Sequence, residues 1–234
     1  MAEPSKARTT IDVAASVAML AVAILVGWRQ LAPSRPPSSL EKATGQFVGF
    51  ADAAIKGGPT ARVGMVVFSD FECPYCGTFA RTIGAELDRR YVDSGTVLIA
   101  FRHKPLTAIH ANALMAAKAT HCATRGGKFW PFHDLLFSRQ QILSSDEIRR
   151  LGRKLNLDTS WDQCLESDAA SDAVASDIAD ANSLGVTGTP AFLIGPVVGG
   201  QRIKVTATVA GVEPLESYTR IFDNLLAQNA RDPG

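Results

Sequence analysis

The sequence lacks an excess of charge of either sign. Its 234 residues carry 24 lysines and arginines against 23 aspartates and glutamates, a formal net charge of +1. This balance gives no indication of a nucleic-acid partner or an acidic substrate. The chain has no internal repeat and no low-complexity tract. The length beyond about residue 45 suits one domain with an ample hydrophobic core.

Cysteine and histidine are also scarce, with four residues of each. Cys73 and Cys76 form a C-x-x-C pair, whereas Cys122 and Cys164 stand alone and no two histidines have the spacing of metal ligands. A zinc site usually needs a second pair of ligands. The spacing therefore favours a redox pair over half of a zinc site.

The C-x-x-C pair stands where thiol chemistry is favoured. The motif Cys73-Pro74-Tyr75-Cys76 follows the apolar run 64–68 and opens a helix-like stretch. The first N–H groups of a helix lack intrahelical acceptors, and the helix dipole places partial positive charge there. We therefore predict a Cys73 pKa below the ordinary ~8.5. Pro74 suits the first helical turn, and Cys76, one turn along, is close enough to form a disulfide with Cys73.

A second motif lies far downstream, where residues 185–190 lead into the strand-like segment 191–194. A proline at the start of a strand usually marks an edge or a turn. Together with the C-P-Y-C motif, however, Thr189-Pro190 resembles the Thr–cis-Pro pair that faces the cysteines in thioredoxin folds. These motifs, with segments 101–106, 110–117 and 122–130, resemble the DsbA-like thiol–disulfide oxidoreductases over about residues 48–228.

This resemblance implies an α/β thioredoxin fold with an inserted helical domain, and the sequence pattern agrees. We expect a βαβ unit from strand 64–69, helix 75–91 and strand 96–101, then helices, strands 191–194 and 204–210, and a closing helix over 214–227. The predicted organisation comprises a first half of the fold over 46–106, the helical insertion over 107–184, a second half over 185–228 and a tail over 229–234.

The N-terminus predicts a membrane anchor. Residues 13–28 are apolar, but sixteen residues rise only ~24 Å as a helix, short of the ~30 Å hydrocarbon core. Extension to 11–31 reaches a full span, preceded by a short tail over 1–10 and followed by a Pro/Ser linker over 32–45. A cleavable signal peptide is the alternative. In both cases the catalytic domain is exported. The charges that flank the apolar segment do not decide its orientation. The resemblance implies a single-pass protein of the cell membrane with its catalytic domain on the extracytoplasmic side.

Cys122 and Cys164 both fall within the predicted insertion. Two buried free thiols are one possibility. In an oxidising compartment a structural disulfide is favoured, and some DsbA-like proteins have a second disulfide in this insertion, at positions that these two residues resemble.

The resemblance also implies a mechanism. A client thiolate attacks the oxidised pair at Cys73, and the client's second thiol resolves the mixed disulfide. Pro74, Tyr75, Thr189 and Pro190 support the site, and the backbone around Thr189 pairs with an extended client strand. We expect no organic cofactor. The expected partners are reduced, unfolded exported proteins and a membrane reoxidase of DsbB or VKOR type.

Three alternatives stay open. A disulfide isomerase or reductase would use the same cysteines, but usually with an added dimerisation domain, which we do not expect here. A zinc-structured module would use all four cysteines, and a peptide-binding chaperone would need neither active-site thiol.

We assign structural roles to the residues outside the motifs. We expect Asp70 and Glu72 to be solvated loop residues. We expect the histidines at 103, 110, 121 and 133 to be structural, and the aromatic residues at 129, 130, 132 and 137 to form the core of the insertion.

Overall fold

The computed structural model describes residues 39–50 and 52–231. The predicted anchor over 11–31 lies outside these residues, as do the first half of the predicted linker and the last three residues of the chain. No helix in the described part of the chain combines the length and the apolar character needed to cross a membrane.

Seven strands form the sheet of the fold: β1 Phe47–Gly49, β2 Ala54–Lys56, β3 Val63–Ser69, β4 Val97–His103, β5 Ala191–Val198, β6 Arg202–Lys204 and β7 Ala207–Ala210. Their order is β1-β6-β5-β3-β4-β2, with β7 paired to β5. β3 and β4 are parallel, and the other pairs are antiparallel. Every residue of β3 and β4 is buried, which is typical of central strands covered on both faces.

The helix between β3 and β4, here α1, runs over residues 74–92 and alternates α and π turns: Pro74–Phe79, Ala80–Gly84, Ala85–Leu87 and Asp88–Val92. It is the crossover that two parallel strands require. Five helices lie between β4 and β5: α2 Ala113–Ala123, α3 Phe129–Ser138, α4 Ser145–Lys154, α5 Thr159–Leu165 and α6 Asp168–Ser183. Helix α7, Leu215–Arg231, follows β7. This is an α/β fold of thioredoxin type with a helical insertion.

The side chains of the central strands divide between two hydrophobic clusters because successive strand residues point to opposite faces. Met65 and Val67 pack in the cluster that includes α1, α7 and the insertion helices. Val66 and Phe68 pack in a second cluster with Leu40, from the N-terminal 3-10 turn, and the end of α6. The sheet is therefore covered on both faces, including the end of β3 that shortly precedes the C-x-x-C motif.

The predicted strand over 204–210 was wrong, because the segment forms two short strands. β6 pairs with the end of β5 and β7 with its beginning. Between them the carbonyl of Lys204 approaches Gly195 so closely that a Cβ there would lie 1.8 Å from the oxygen. A glycine at 195 permits this approach. The insertion also begins with a non-helical loop, since α2 starts only at Ala113.

The expected aromatic core of the insertion was only partly right. Phe132 packs on Trp161 within the insertion. Phe129, in contrast, contacts Phe101 of β4, and Phe137 contacts Phe71 of the loop after β3, with ring centroids 4.9 Å apart. Much of the cluster thus joins the insertion to the sheet.

Candidate active site

Cys73 is the N-cap residue of α1 and has an extended backbone, with φ −70° and ψ 118°. Pro74 is the first residue of the helix, and Cys76 lies within its first turn. Both cysteines are free thiols, and both side chains are largely covered, with Cys73 4% and Cys76 1% exposed. The Cys73 side chain makes no cap hydrogen bond to this helix, although the backbone amides of Tyr75 and Cys76 lie near enough to influence its sulfur.

The Thr189-Pro190 segment lies directly against this thiol. The Cys73 Sγ–H donates to the carbonyl oxygen of Thr189 at 3.3 Å, and the Thr189-Pro190 peptide bond is cis. The Thr189 hydroxyl oxygen is buried and has no hydrogen-bond partner among the described residues. The structure therefore brings the two sequence motifs together in one site, with Tyr75 exposed beside them.

The two thiols differ strongly in acidity. The pKa of Cys73 is lowered from 9.0 to about 5, chiefly by a hydrogen bond from the Cys76 thiol; burial opposes the shift, and the backbone amides of Cys76 and Tyr75 add to it. The pKa of Cys76 is raised well above 9.0 by burial and by its contacts with Cys73. Such a pair has one good nucleophile and leaving group and one thiol that keeps its proton.

The expectation of a solvated loop residue was wrong for Asp70 and only partly right for Glu72, which is half-buried. Asp70 is only 2% exposed, and its carboxylate accepts hydrogen bonds from the backbone N–H of Leu106 at 2.7 Å and from that of Glu72 at 2.8 Å. It also bonds to Nδ1 of His110, at 2.8 Å. The reason lies in the tertiary structure: the loop between β4 and α2 folds over residues 70–73, here called the catalytic loop, and covers Asp70.

Glu72 also binds the β4–α2 loop. Its carboxylate accepts from the backbone N–H of Asn112 at 2.6 Å and from the Asn112 side-chain amide at 3.1 Å. The same amide donates to the Leu143 carbonyl at 3.1 Å. Asp70 and Glu72 thus attach the β4–α2 loop to the residues just before Cys73, a role that we did not predict although both carboxylates adjoin the motif in the sequence.

Three large apolar side chains are exposed on elements that adjoin Cys73. Tyr75 is 66%, Ile109 73% and Ile142 59% exposed. Tyr75 belongs to the motif, and Ile109 lies in the β4–α2 loop that Asp70 and Glu72 hold. Ile142 ends a 3-10 turn, Gln140–Ile142, whose first residue bonds to the Cys73 carbonyl. We refer to these three residues as the apolar rim.

His103 and His133 are buried and His121 is half-buried, and none of the three forms a hydrogen bond with Cys73 or Cys76. Burial lowers the pKa of His103 to about 3. Burial likewise lowers the pKa of His121 and of His133, which bonds to Asp134. His110 differs because it bonds to Asp70, beside the motif.

Cys122 and Cys164 form a disulfide that joins the ends of α2 and α5, with 5.8 Å between the Cα atoms. The Trp161 indole N–H donates to the Ala119 carbonyl next to it, at 2.9 Å. A zinc module built from all four cysteines does not fit this arrangement. Among the described residues, no three His, Cys, Asp or Glu side chains are grouped to hold a metal ion.

The chain was compared with known families and structures. A family model described as thioredoxin matches residues 51–213. The crystal structure of α-DsbA1 from Wolbachia pipientis is 23% identical in sequence and superposes with a TM-score of 0.71, covering 84% of this chain and 100% of that one. Oxidised BdbD from Bacillus subtilis is 17% identical, with a TM-score of 0.64, covering 79% of this chain and 98% of that one. At these identities the two structures establish a shared fold.

A similarity of another kind concerns a Na⁺/H⁺ antiporter, NhaA 3 of Salinispora tropica. It is 36% identical over 141 residues, which are 60% of this chain but 21% of the antiporter. The chain thus spans about a fifth of the length of the curated relatives that it matches. Because most of each antiporter lies outside the match, ion transport is not carried over to this chain.

Proposed function

This chain belongs to the thioredoxin family, and we propose that it is an exported thiol–disulfide oxidoreductase, a dithiol oxidase that introduces disulfides into secreted or envelope proteins. The observation that carries the proposal is the environment of Cys73. Its sulfur lies at a helix N-terminus with the pKa lowered to about 5, and it faces the carbonyl of Thr189.

The acidity of Cys73 supports the oxidising direction. In the first step a client thiolate attacks Sγ of Cys73, the Cys73–Cys76 bond breaks, and Cys76 leaves as a thiolate that takes up a proton because its pKa is high. In the second step another client thiolate attacks the client sulfur of the mixed disulfide, and Cys73 leaves as its stabilised thiolate. The client loses two electrons and the enzyme gains them. A stable reduced form makes the disulfide oxidising.

The surroundings of Cys73 suit an unfolded polypeptide as client. The Thr189 carbonyl is an acceptor at the thiol itself, in reach of an amide of an extended client chain. The apolar rim of Tyr75, Ile109 and Ile142 offers contacts to apolar side chains that an unfolded client has not yet buried. Both features favour a reduced, unfolded protein over a small thiol.

The compartment and the partners are part of the same proposal. The apolar segment 11–31 anchors the chain with its catalytic domain on the extracytoplasmic side. The Cys122–Cys164 disulfide suits an oxidising compartment. Because each turnover leaves Cys73 and Cys76 reduced, an oxidant must take up the two electrons, and we propose a DsbB- or VKOR-type membrane enzyme for this role.

The deciding experiment is equilibration of Cys73 and Cys76 with glutathione buffers. We expect a reduction potential near the ~−120 mV of a strong oxidant, whereas a value near the ~−270 mV of thioredoxin would favour the reductase alternative. Faster repair of a scrambled client than oxidation of a reduced one would favour an isomerase. The double variant Cys73→Ser with Cys76→Ser should lose all activity on reduced clients, and retained promotion of client folding would favour a chaperone.

A further inference from the structure

Gln140 reaches from the insertion to the catalytic loop. It begins the 3-10 turn that follows α3, and its Nε2 donates to the carbonyl of Phe71 at 2.9 Å and to that of Cys73 at 2.7 Å. Both acceptors are backbone groups of the segment that sets the direction of the Cys73 side chain. One side chain, 67 positions from Cys73 in the sequence, thus bridges the 71–72 and 73–74 peptide units, which lie on either side of the bond between Glu72 and Cys73.

Gly77 leaves the space for this side chain. A Cβ at Gly77 would lie 2.2 Å from Oε1 of Gln140 and 2.7 Å from Nη1 of Arg81. Nη1 of Arg81 in turn donates to the Phe137 carbonyl, near the end of α3, at 2.7 Å. The amide of Gln140 therefore lies across the first turn of α1, at a position where any larger residue than glycine would displace it.

The N-terminus of α1 receives no cap bond from its own N-cap side chain. An N-cap side chain ordinarily accepts a bond from the amides of the first turn and so holds its own backbone. Here the N-cap residue is Cys73, which has no such side-chain cap bond and whose sulfur must also stay free to react. Its carbonyl accepts from Gly77 N–H at 3.1 Å within the helix, and the second bond to that carbonyl comes from Gln140.

We propose that Gln140 is a positioning residue: by holding the carbonyls of Phe71 and Cys73, it keeps the Cys73 sulfur in front of the first amides of α1. The insertion would then contribute to the reactivity of the thiol as well as cover it. This inference rests on the proposed redox role of Cys73. The backbone amides of Tyr75 and Cys76 are among the groups that lower the pKa of Cys73, so a sulfur that turns away from them becomes less acidic.

The test compares Gln140→Met with Gln141→Met in the reduced full chain. Methionine has the length of glutamine but no donor, and Gln141 is the exposed neighbour. The Cys73 thiolate is titrated by its ultraviolet absorbance and by iodoacetamide labelling. In Gln140→Met we expect the Cys73 pKa to rise by about one unit, which lowers labelling at pH 5 roughly fivefold. In Gln141→Met we expect no shift.

Two outcomes would overturn the proposal. One is an unchanged Cys73 titration in Gln140→Met, even with a lower melting temperature, because that pattern describes a purely structural contact. The other is an equal shift in Gln141→Met. If Gln140→Met does not fold, Gly77→Ala displaces the same amide with Gln140 intact, and an unchanged titration there would also overturn it. An ordinary pKa of Cys73 in the unaltered chain would instead contradict the proposed function.

Discussion

The Cys73 thiol lies 3.3 Å from the carbonyl oxygen of Thr189, although 116 positions separate the two residues. The sheet explains this contact. β3 and β5 are antiparallel neighbours, and Phe68 is paired with Ala191, so the end of β3 and the start of β5 lie at the same edge. Cys73, at the start of α1, and Thr189, before the cis-proline, therefore meet at this edge of the sheet.

The first prediction concerns selective alkylation. At pH 6 iodoacetamide should label Cys73 of the reduced protein and leave Cys76 unmodified, because the Cys73 pKa is about 5 and that of Cys76 is raised. Mass spectrometry of the digested protein measures both. Equal labelling of the two residues would contradict the assignment of Cys73 as nucleophile.

A second prediction separates two substitutions of Cys76. The hydrogen bond from the Cys76 thiol is the largest cause of the low Cys73 pKa. Cys76→Ala removes this donor and should raise the Cys73 pKa, whereas Cys76→Ser keeps a hydroxyl donor and should raise it less. Both variants should accumulate mixed disulfides with clients, visible on non-reducing gels, and Cys73→Ser should accumulate none. An equal Cys73 pKa in the alanine and serine variants would contradict this account of the acidity.

The third prediction is a pH dependence of stability in the reduced protein. Folding lowers the Cys73 pKa from 9.0 to about 5, so between these values the unfolded chain holds a proton that the folded chain has lost. The free energy of unfolding should therefore rise with pH across this window, by at most about 1.4 kcal/mol per pH unit. Below about pH 5 this stabilisation is absent.

Urea titrations of the reduced and oxidised forms at several pH values measure this slope. The oxidised form is the control, because the Cys73 thiol is then part of a disulfide and does not titrate. The difference between the two forms should grow from pH 5 to pH 9. Parallel pH profiles of the two forms would show that the Cys73 thiolate is not stabilised by folding.

The fourth prediction concerns the Cys122–Cys164 disulfide, whose cysteines are 42 positions apart. The double variant Cys122→Ala with Cys164→Ala should lower the free energy of unfolding by about 4 kcal/mol, the chain-entropy value for such a loop. Cys73 should keep its low pKa, because the bond joins the ends of α2 and α5 within the insertion. The control is a reductant added to the double variant. Because this variant has no bond between positions 122 and 164, the reductant should cause no loss of stability of that size. A double variant as stable as the parent would refute a structural role.

The fifth prediction tests the burial of Asp70. Asp70→Ala leaves the backbone N–H of Leu106 and that of Glu72 without their acceptor, and should cost roughly 3 kcal/mol of stability. It should also speed hydrogen exchange of the Leu106 amide. Asp93→Ala, at an exposed position after α1, is the matched control and should change stability by less than about 0.5 kcal/mol. Equal effects of the two substitutions would mean that Asp70 is solvated after all.

Much of the chemistry of this protein was predictable because its causes are local. The amides of Tyr75 and Cys76 lie within three residues of Cys73, so a motif that opens a helix predicts an acidic thiol. The βαβ unit was predictable for the same reason, since the apolar segment now assigned to β3 and the helical pattern after it are continuous in the sequence. The Thr189-Pro190 motif was found only through its resemblance to a family.

The tertiary structure decided which groups surround that thiol. Asp70 and Glu72 look like solvated carboxylates in the sequence, because nothing near them predicts that Leu106 and Asn112 will cover them. Gln140 belongs to no recognisable sequence motif. Its hydrogen bonds to the carbonyls of Phe71 and Cys73 form only because α3 ends close to the first turn of α1. The largest contribution to the acidity of Cys73, the hydrogen bond from Cys76, arises within one helical turn and follows from the C-x-x-C spacing in the sequence. Burial and long-range hydrogen bonds depend on how distant segments pack, so the partners of the catalytic loop are decided by the fold.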